Sequence, residues 1–135
     1  MTQFISSLMQ RPVSSVRMED TVAQVEALLV SKRLVWVPVL EPTRGEAVGV
    51  ISALDIVGFH AQGRDASAVK AWQMCSYKPI VVDVETPISR VAALMLERSV
   101  HHVVVTDRNG LAGVVSSLDF VRTFLPAAGR ARSRE

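Results

Sequence analysis

The sequence predicts an α/β module made of two βαββα copies related by a pseudo-twofold axis. Three observations carry this reading. Apolar blocks recur in the same order in both halves. Each copy passes from helical to strand-like apolar spacing, and each ends in Gly-hydrophobic-x-Ser-x-x-Asp. Val22, Val25, Leu28 and Leu29 return 66 positions later as Ile88, Val91, Leu94 and Met95. Gly49, Val50, Ser52, Leu54 and Asp55 return 64 positions later as Gly113, Val114, Ser116, Leu118 and Asp119. The offset falls by two because the first copy has the longer turn, residues 40–48 against 106–112. Pro12 has a counterpart in Pro79. A repeat of this kind, read before anything else, sets the architecture.

Within each copy the elements follow in order. Short apolar stretches at 13–16 and 80–84 come after a proline and predict brief strands. The next segment places Val22, Val25, Leu28 and Leu29 at helical spacing, with Asp20 marking its start. In the second copy Thr86 is the expected cap, and Pro87 suits the first helical position. Two β-rich runs predict hairpins, 35–40 with 47–52 and 102–106 with 111–116. The second turns at Asp107-Arg108-Asn109-Gly110, where Asn-Gly readily adopts positive φ. A final helix starts near Leu54 or Leu118. One copy alone would leave a sheet face open to water, so the pair is expected to fold as one unit. The organisation is therefore repeat 1 at 5–60, a polar linker at 61–70, repeat 2 at 71–125, and a basic, flexible tail at 126–135.

Composition narrows the function classes. The 135 residues are 49% hydrophobic and 21% charged, ordinary for a globular chain and too apolar for disorder. No apolar run approaches the roughly 20 residues of a membrane span. The N-terminus has no signal-peptide pattern. The lone Cys75 offers neither a disulfide nor a metal set, and a cytoplasmic location is expected. The formal charge of +2 is the charge of the tail, where Arg130, Arg132 and Arg134 face Glu135. The body is neutral, whereas a nucleic-acid binder ordinarily carries positive charge on its folded surface.

The repeated Ser-x-x-Asp has two readings. As architecture it is a near-capping box, serine and aspartate each satisfying a backbone N–H at a helix start. As chemistry, a carboxylate can accept from both vicinal hydroxyls of a ribose, and a helix start with a serine hydroxyl can receive a phosphate. Its duplication favours two symmetry-related binding turns.

The βαββα order, the proline-led first strand and the two motifs, Gly49 to Asp55 and Gly113 to Asp119, resemble the cystathionine-β-synthase (CBS) domain. The resemblance covers about 5–125 and is closest to tandem CBS pairs of the stand-alone bacterial type. It implies a compact regulatory module with up to two clefts for adenosine ligands: AMP, ADP or ATP, as in energy sensing, or S-adenosylmethionine, NAD or cyclic di-AMP. Carried over by position, one cleft would use Asp119 for ribose and Ser116 towards phosphate, with Val114, Ser14, Val35 and Trp36 lining the base pocket. The other would use Asp55 and Ser52, with Val50, Val81, His101 and His102 around the ligand. Run 100–105 is similar to the nucleotide-contacting segment of the kinase regulatory gamma subunit, with His102 in the basic position and a pH-dependent charge. Trp36, its counterpart, could stack on a purine or fill the cleft. The resemblance also implies a homodimer formed through helices, for which Phe59, Phe120, Phe124 and Leu125 are candidates, and a separate effector protein.

Other chemistry finds less support. His101 and His102 are adjacent on a strand and point to opposite faces, so they cannot converge on one metal ion. Trp72 suits packing or a dimer contact, Cys75 a small apolar role, and Arg17, Lys32 and Arg33 a solvated face or a phosphate rim. No nucleophile elbow, phosphate-cradling Gly-rich loop or metal triad is present, so an enzyme is not expected. Two alternatives remain: an interaction or dimerisation scaffold that keeps the fold without a ligand, and nucleic-acid contact through the arginine tail.

Overall fold

The computed structural model describes residues 3–11 and 13–125; Pro12 and the basic tail at 126–135 lie outside them. The described residues divide into two compact units, one of residues 14–79 and the other of residues 3–11 and 13 with 80–125.

The first unit contains β1 (Val16–Arg17), α1 (Val22–Lys32), β2 (Trp36–Leu40), β3 (Ala47–Ser52), α2 (Ala53–Ala61), α3 (Ala71–Met74) and β4 (Ser76–Tyr77). Its four-stranded sheet runs β1-β2-β3-β4. β1 lies parallel to β2, and the remaining pairs are antiparallel. The second unit contains β5 (Val81–Asp83), α4 (Ile88–Arg98), β6 (His102–Asp107), β7 (Gly110–Ser116) and α5 (Ser117–Arg122). Here β5 is parallel to β6, and β6 is antiparallel to β7. The two registers echo each other: Trp36 pairs with Ser52 as His102 pairs with Ser116, and both hairpins shift register near their turns.

Burial follows the period that the sequence announces. In α1, Val22, Val25 and Leu29 are buried, and in α4, Val91 and Met95. They pack on the central strands, where Val37, Val39 and Ile51 in one unit and Val103, Val105 and Val115 in the other are fully buried. Both helices end on a residue in the left-handed region, Arg33 (φ 55°) and Ser99 (φ 52°), which turns the chain into the hairpin.

Several boundaries differ from the sequence expectation. The first strand is Val16–Arg17 rather than 13–16, and its counterpart is Val81–Asp83 rather than 80–84. Thr21, not Asp20, caps α1: its hydroxyl accepts from the Gln24 N–H at 3.1 Å while Gln24 Oε1 accepts from the Thr21 N–H at 2.8 Å. Asp20 instead accepts from the Arg17 N–H at 2.8 Å, closing the turn before the helix. Pro87 stands at the N-cap of α4 with no side-chain cap bond. The Thr86 carbonyl accepts from the Ile5 N–H at 2.7 Å.

That last bond belongs to a feature absent from the sequence expectation, the docking of the segments ahead of each repeat. A 3-10 turn at Ile5–Ser7 puts Ile5 in the core of the second unit. Gln10 then pairs with Val114 through two backbone bonds of 2.8 and 3.2 Å. In the first unit α3 and β4 do the same, with Ser76 opposite Val50 and Tyr77 opposite Gly49. These approaches explain the glycine of each motif. A Cβ on Gly49 would stand 2.7 Å from Cys75 Sγ and from the Ser76 carbonyl, and one on Gly113 2.6 Å from Met9 Sδ. Only a residue without a side chain lets the extra strand lie this close.

Candidate functional site: two aspartates in unequal surroundings

The motif turns fold alike. β3 runs into α2 at Ser52, and β7 into α5 at Ser116. At the first, Asp55 Oδ2 accepts from the Ser52 N–H at 2.8 Å, and Ser52 Oγ accepts from the Asp55 N–H at 3.1 Å. This is a reciprocal capping box. At the second, Asp119 Oδ2 accepts from the Ser116 N–H at 2.8 Å and from its hydroxyl at 3.2 Å. One oxygen of each carboxylate thus serves its own helix, as the architectural reading expects.

The other oxygen separates the two. Asp55 is half-buried, and its Oδ1 has no hydrogen-bond partner among the described residues. Asp119 is only 5% exposed. Its Oδ1 accepts from the Gln10 side-chain amide and from Arg122 Nη1 at 3.3 Å. Position by position, Ser76 replaces Gln10 beside Asp55, since Ser76 pairs with Val50 as Gln10 pairs with Val114. Gly58 stands where Arg122 stands, 64 positions earlier. A serine hydroxyl is too short to repeat the glutamine's reach, and glycine brings no charge. The sequence held both replacements, but neither was visible as a site until the lead-in segments were seen to pair with β3 and β7.

The remaining expected residues fall as follows. In the unit of residues 14–79, Ser14 and Val50 are half-buried and Val35 is exposed. Trp36 is 7% exposed. In the other unit, Val114, Ser116 and His102 are half-buried, while Val81 and His101 are exposed. His101 precedes β6 rather than lying in it, and its Nδ1 is 3.4 Å from Ser117 Oγ. Together they edge a hollow of about 430 Å³ between α4 and α5, with Leu96, Phe120 and Phe124 among its apolar walls. Among the described residues no group of three or more His, Cys, Asp or Glu is placed to hold a metal ion. No helix among them is long and apolar enough to cross a membrane.

Of the aromatic residues singled out for a dimer face, Phe59 is 3% exposed and belongs to the core of its unit, and Phe120 packs partly against the core of the other. Phe124 remains exposed at 80% and Leu125 at 40%. Cys75 is buried against Gly49, and burial pushes its thiol pKa up.

Each half of the chain thus carries the same strand–turn–helix with Ser-x-x-Asp on a βαββα frame. The comparison with known families agrees: the model of the CBS domain matches residues 5–61 and 69–125. This chain belongs to the CBS-domain family, as a tandem pair. A CBS-domain protein of Pyrobaculum aerophilum, solved with AMP, is 27% identical and superposes with a TM-score of 0.81 over 96% of this chain and 97% of that one. The CBS domain pair of protein MJ0100, solved with 5′-methylthioadenosine and S-adenosyl-L-methionine, shares the fold at 20% identity and a TM-score of 0.81, covering 92% and 97%. Among curated proteins, a homoserine O-acetyltransferase of Methanococcus vannielii is 25% identical over 122 residues, 90% of this chain. The chain spans only 25% of that relative's length.

Proposed function

We propose that this chain is a regulatory module that binds an adenosine-containing ligand, with Asp55 gripping the ribose hydroxyls. The carrying observation is the free Oδ1 of Asp55. Its Oδ2 is anchored to the Ser52 N–H, so the carboxylate is held in one orientation with an acceptor left over. A fixed charged acceptor is the group that a ribose diol rewards. The AMP in the P. aerophilum protein supports the ligand class. The ligand is AMP, ADP or ATP, with S-adenosylmethionine, NAD and cyclic di-AMP as the other members of the class. The function is binding rather than catalysis, and a separate effector protein reads the ligand-bound state by ordinary linkage.

A thermal-shift series with these six compounds tests the proposal. A true ligand at 100 times its dissociation constant adds about 2.7 kcal/mol to stability. A folded protein whose melting point none of the six raises would contradict it and favour the ligand-free scaffold, for which the sealed Asp119 and the buried Trp36 already speak.

The module is also proposed to form a homodimer through its helices. Exposed apolar residues recur at equivalent positions: Val30 (79%) and Leu96 (82%), Leu54 (78%) and Leu118 (54%), Val57 (63%) and Val121 (51%). Repeated patches of this kind suit a self-complementary interface. Light scattering at micromolar concentration should give twice the chain mass; a monomer would remove this part.

A further inference from the structure

The proposed adenosine site comes in two sequence copies, yet their surroundings make them chemically unlike. We propose that Gln10 and Arg122 close Asp119 to ligands, so that each chain takes up a single adenosine ligand, at Asp55. This rests on the proposed function, and it names which of the two aspartates performs it.

The argument begins with acceptor capacity. An ionised carboxylate has about four lone-pair sites on two oxygens. Asp119 commits them to four donors: the Ser116 N–H, the Ser116 hydroxyl, the Gln10 amide and the Arg122 guanidinium. Gln10 is exposed while Asp119 is buried, and its amide occupies Oδ1, the oxygen that Asp55 leaves open. A ribose would have to displace it, and an uncharged hydroxyl gains nothing over the amide already bonded there. Arg122 raises the barrier further, because removing it from a buried carboxylate breaks a charge-assisted bond.

The placement of Gln10 is no accident of a loose side chain. Its backbone N–H donates to the Val114 carbonyl at 2.8 Å and its carbonyl accepts from the Val114 N–H at 3.2 Å. Ile5, Leu8 and Met9 of the same segment are buried in the unit's core. The amide is therefore delivered to Asp119 by an anchored segment. In the other copy the equivalent segment presents Ser76, and its equivalent helix position is Gly58, so Asp55 is left with a whole oxygen, Oδ1, open among the described residues. The same fold has one sealed aspartate and one available.

The test is a calorimetric titration with AMP, or with S-adenosylmethionine if the thermal-shift series selects it. The full-length parent should bind one equivalent per chain, and Asp55→Asn should weaken it by roughly 10- to 100-fold. The double substitution Gln10→Ser with Arg122→Gly, which copies the residues around Asp55, should admit a second equivalent. Adding Asp55→Asn to that double variant should weaken one of the two equivalents and leave the other unchanged. Gln10→Ser alone, which keeps every buried residue of the segment, provides the same readout should the double variant fail to fold; a second equivalent, weaker than the first, is then expected. Two equivalents in the parent, or binding as tight in Asp55→Asn as in the parent, overturns the inference but leaves the adenosine proposal standing. A folded open variant that still binds one equivalent overturns the assignment of closure to Gln10 and Arg122. No binding by any variant overturns the adenosine proposal, and this inference with it.

Discussion

Truncating the two aspartates should have unequal structural consequences, although the sequence presents them as equivalents. Asp55→Ala removes one cap bond, the acceptor for the Ser52 N–H at 2.8 Å, from a half-buried side chain. Loss of a cap costs about 1 kcal/mol. Asp119→Ala removes the same cap and also the acceptor for the Gln10 amide and Arg122. Those bonds go to a charged group in a 5%-exposed position, where each contributes about 1.5 kcal/mol or more. Recovery of the carboxylate's desolvation cost offsets part of this. The net loss should be about 2–3 kcal/mol. With a urea m-value of about 2 kcal/mol per M, the midpoint should fall by about 1 M for Asp119→Ala and by about half that for Asp55→Ala. Urea unfolding followed by far-UV circular dichroism, with m-values compared, measures both. Equal shifts, or a larger one for Asp55→Ala, would refute the claim that Asp119 is the structural member of the pair.

Two further outcomes follow from the packing. Gly49→Ala should destabilise the first unit by about 1–3 kcal/mol, because its Cβ meets Cys75 Sγ and the Ser76 carbonyl at 2.7 Å; chemical unfolding reads this directly, and a neutral result would mean that β4 does not pair where described. The Cys75 thiol, pushed up by burial, should stay protonated in the fold at a pH where an unfolded thiol ionises, about 8.5. A raised native value means that its contribution is present below that pH and is lost as pH rises through the native value. Stability should therefore decline above about pH 8.5 in the parent and decline less in Cys75→Ala; parallel pH profiles would contradict this.

The contrast between the two aspartates also shows where a sequence stops being readable. The repeat, the helices and the hairpins were legible because their apolar residues carry a period that burial enforces: Val22, Val25 and Leu29 sit on the inner face of α1 as spacing demands. The motif positions were legible because Ser-x-x-Asp is a local pattern, closed within one helical turn. What was not legible is non-local. Gln10 reaches Asp119 across 109 positions, and the isolated bridge of Gln10 with Val114 brings them together. Nothing in the stretch from Met9 to Arg11 announces a bridge to β7, since its pairing partner supplies the order. Thr21 displaced Asp20 as the cap for a similar reason: both residues can cap, and the choice depended on Gln24 completing the reciprocal bond. Phe59 was read as a surface aromatic because α2 is apolar on more than one side, and the core claimed that side chain while leaving Leu54 and Val57 outside.

The central claim, that the open acceptor on Asp55 holds a ribose diol, is tested most directly by pairing a substitution with a ligand change. Calorimetric affinities would be measured for AMP and for 2′-deoxy-AMP, each with the parent and with Asp55→Asn. A hydrogen bond to a charged group contributes about 1.5–3 kcal/mol, so the parent should prefer AMP by roughly 10- to 100-fold. That preference should vanish in Asp55→Asn. The same preference in both proteins, or none in the parent, would show that the sugar is held elsewhere.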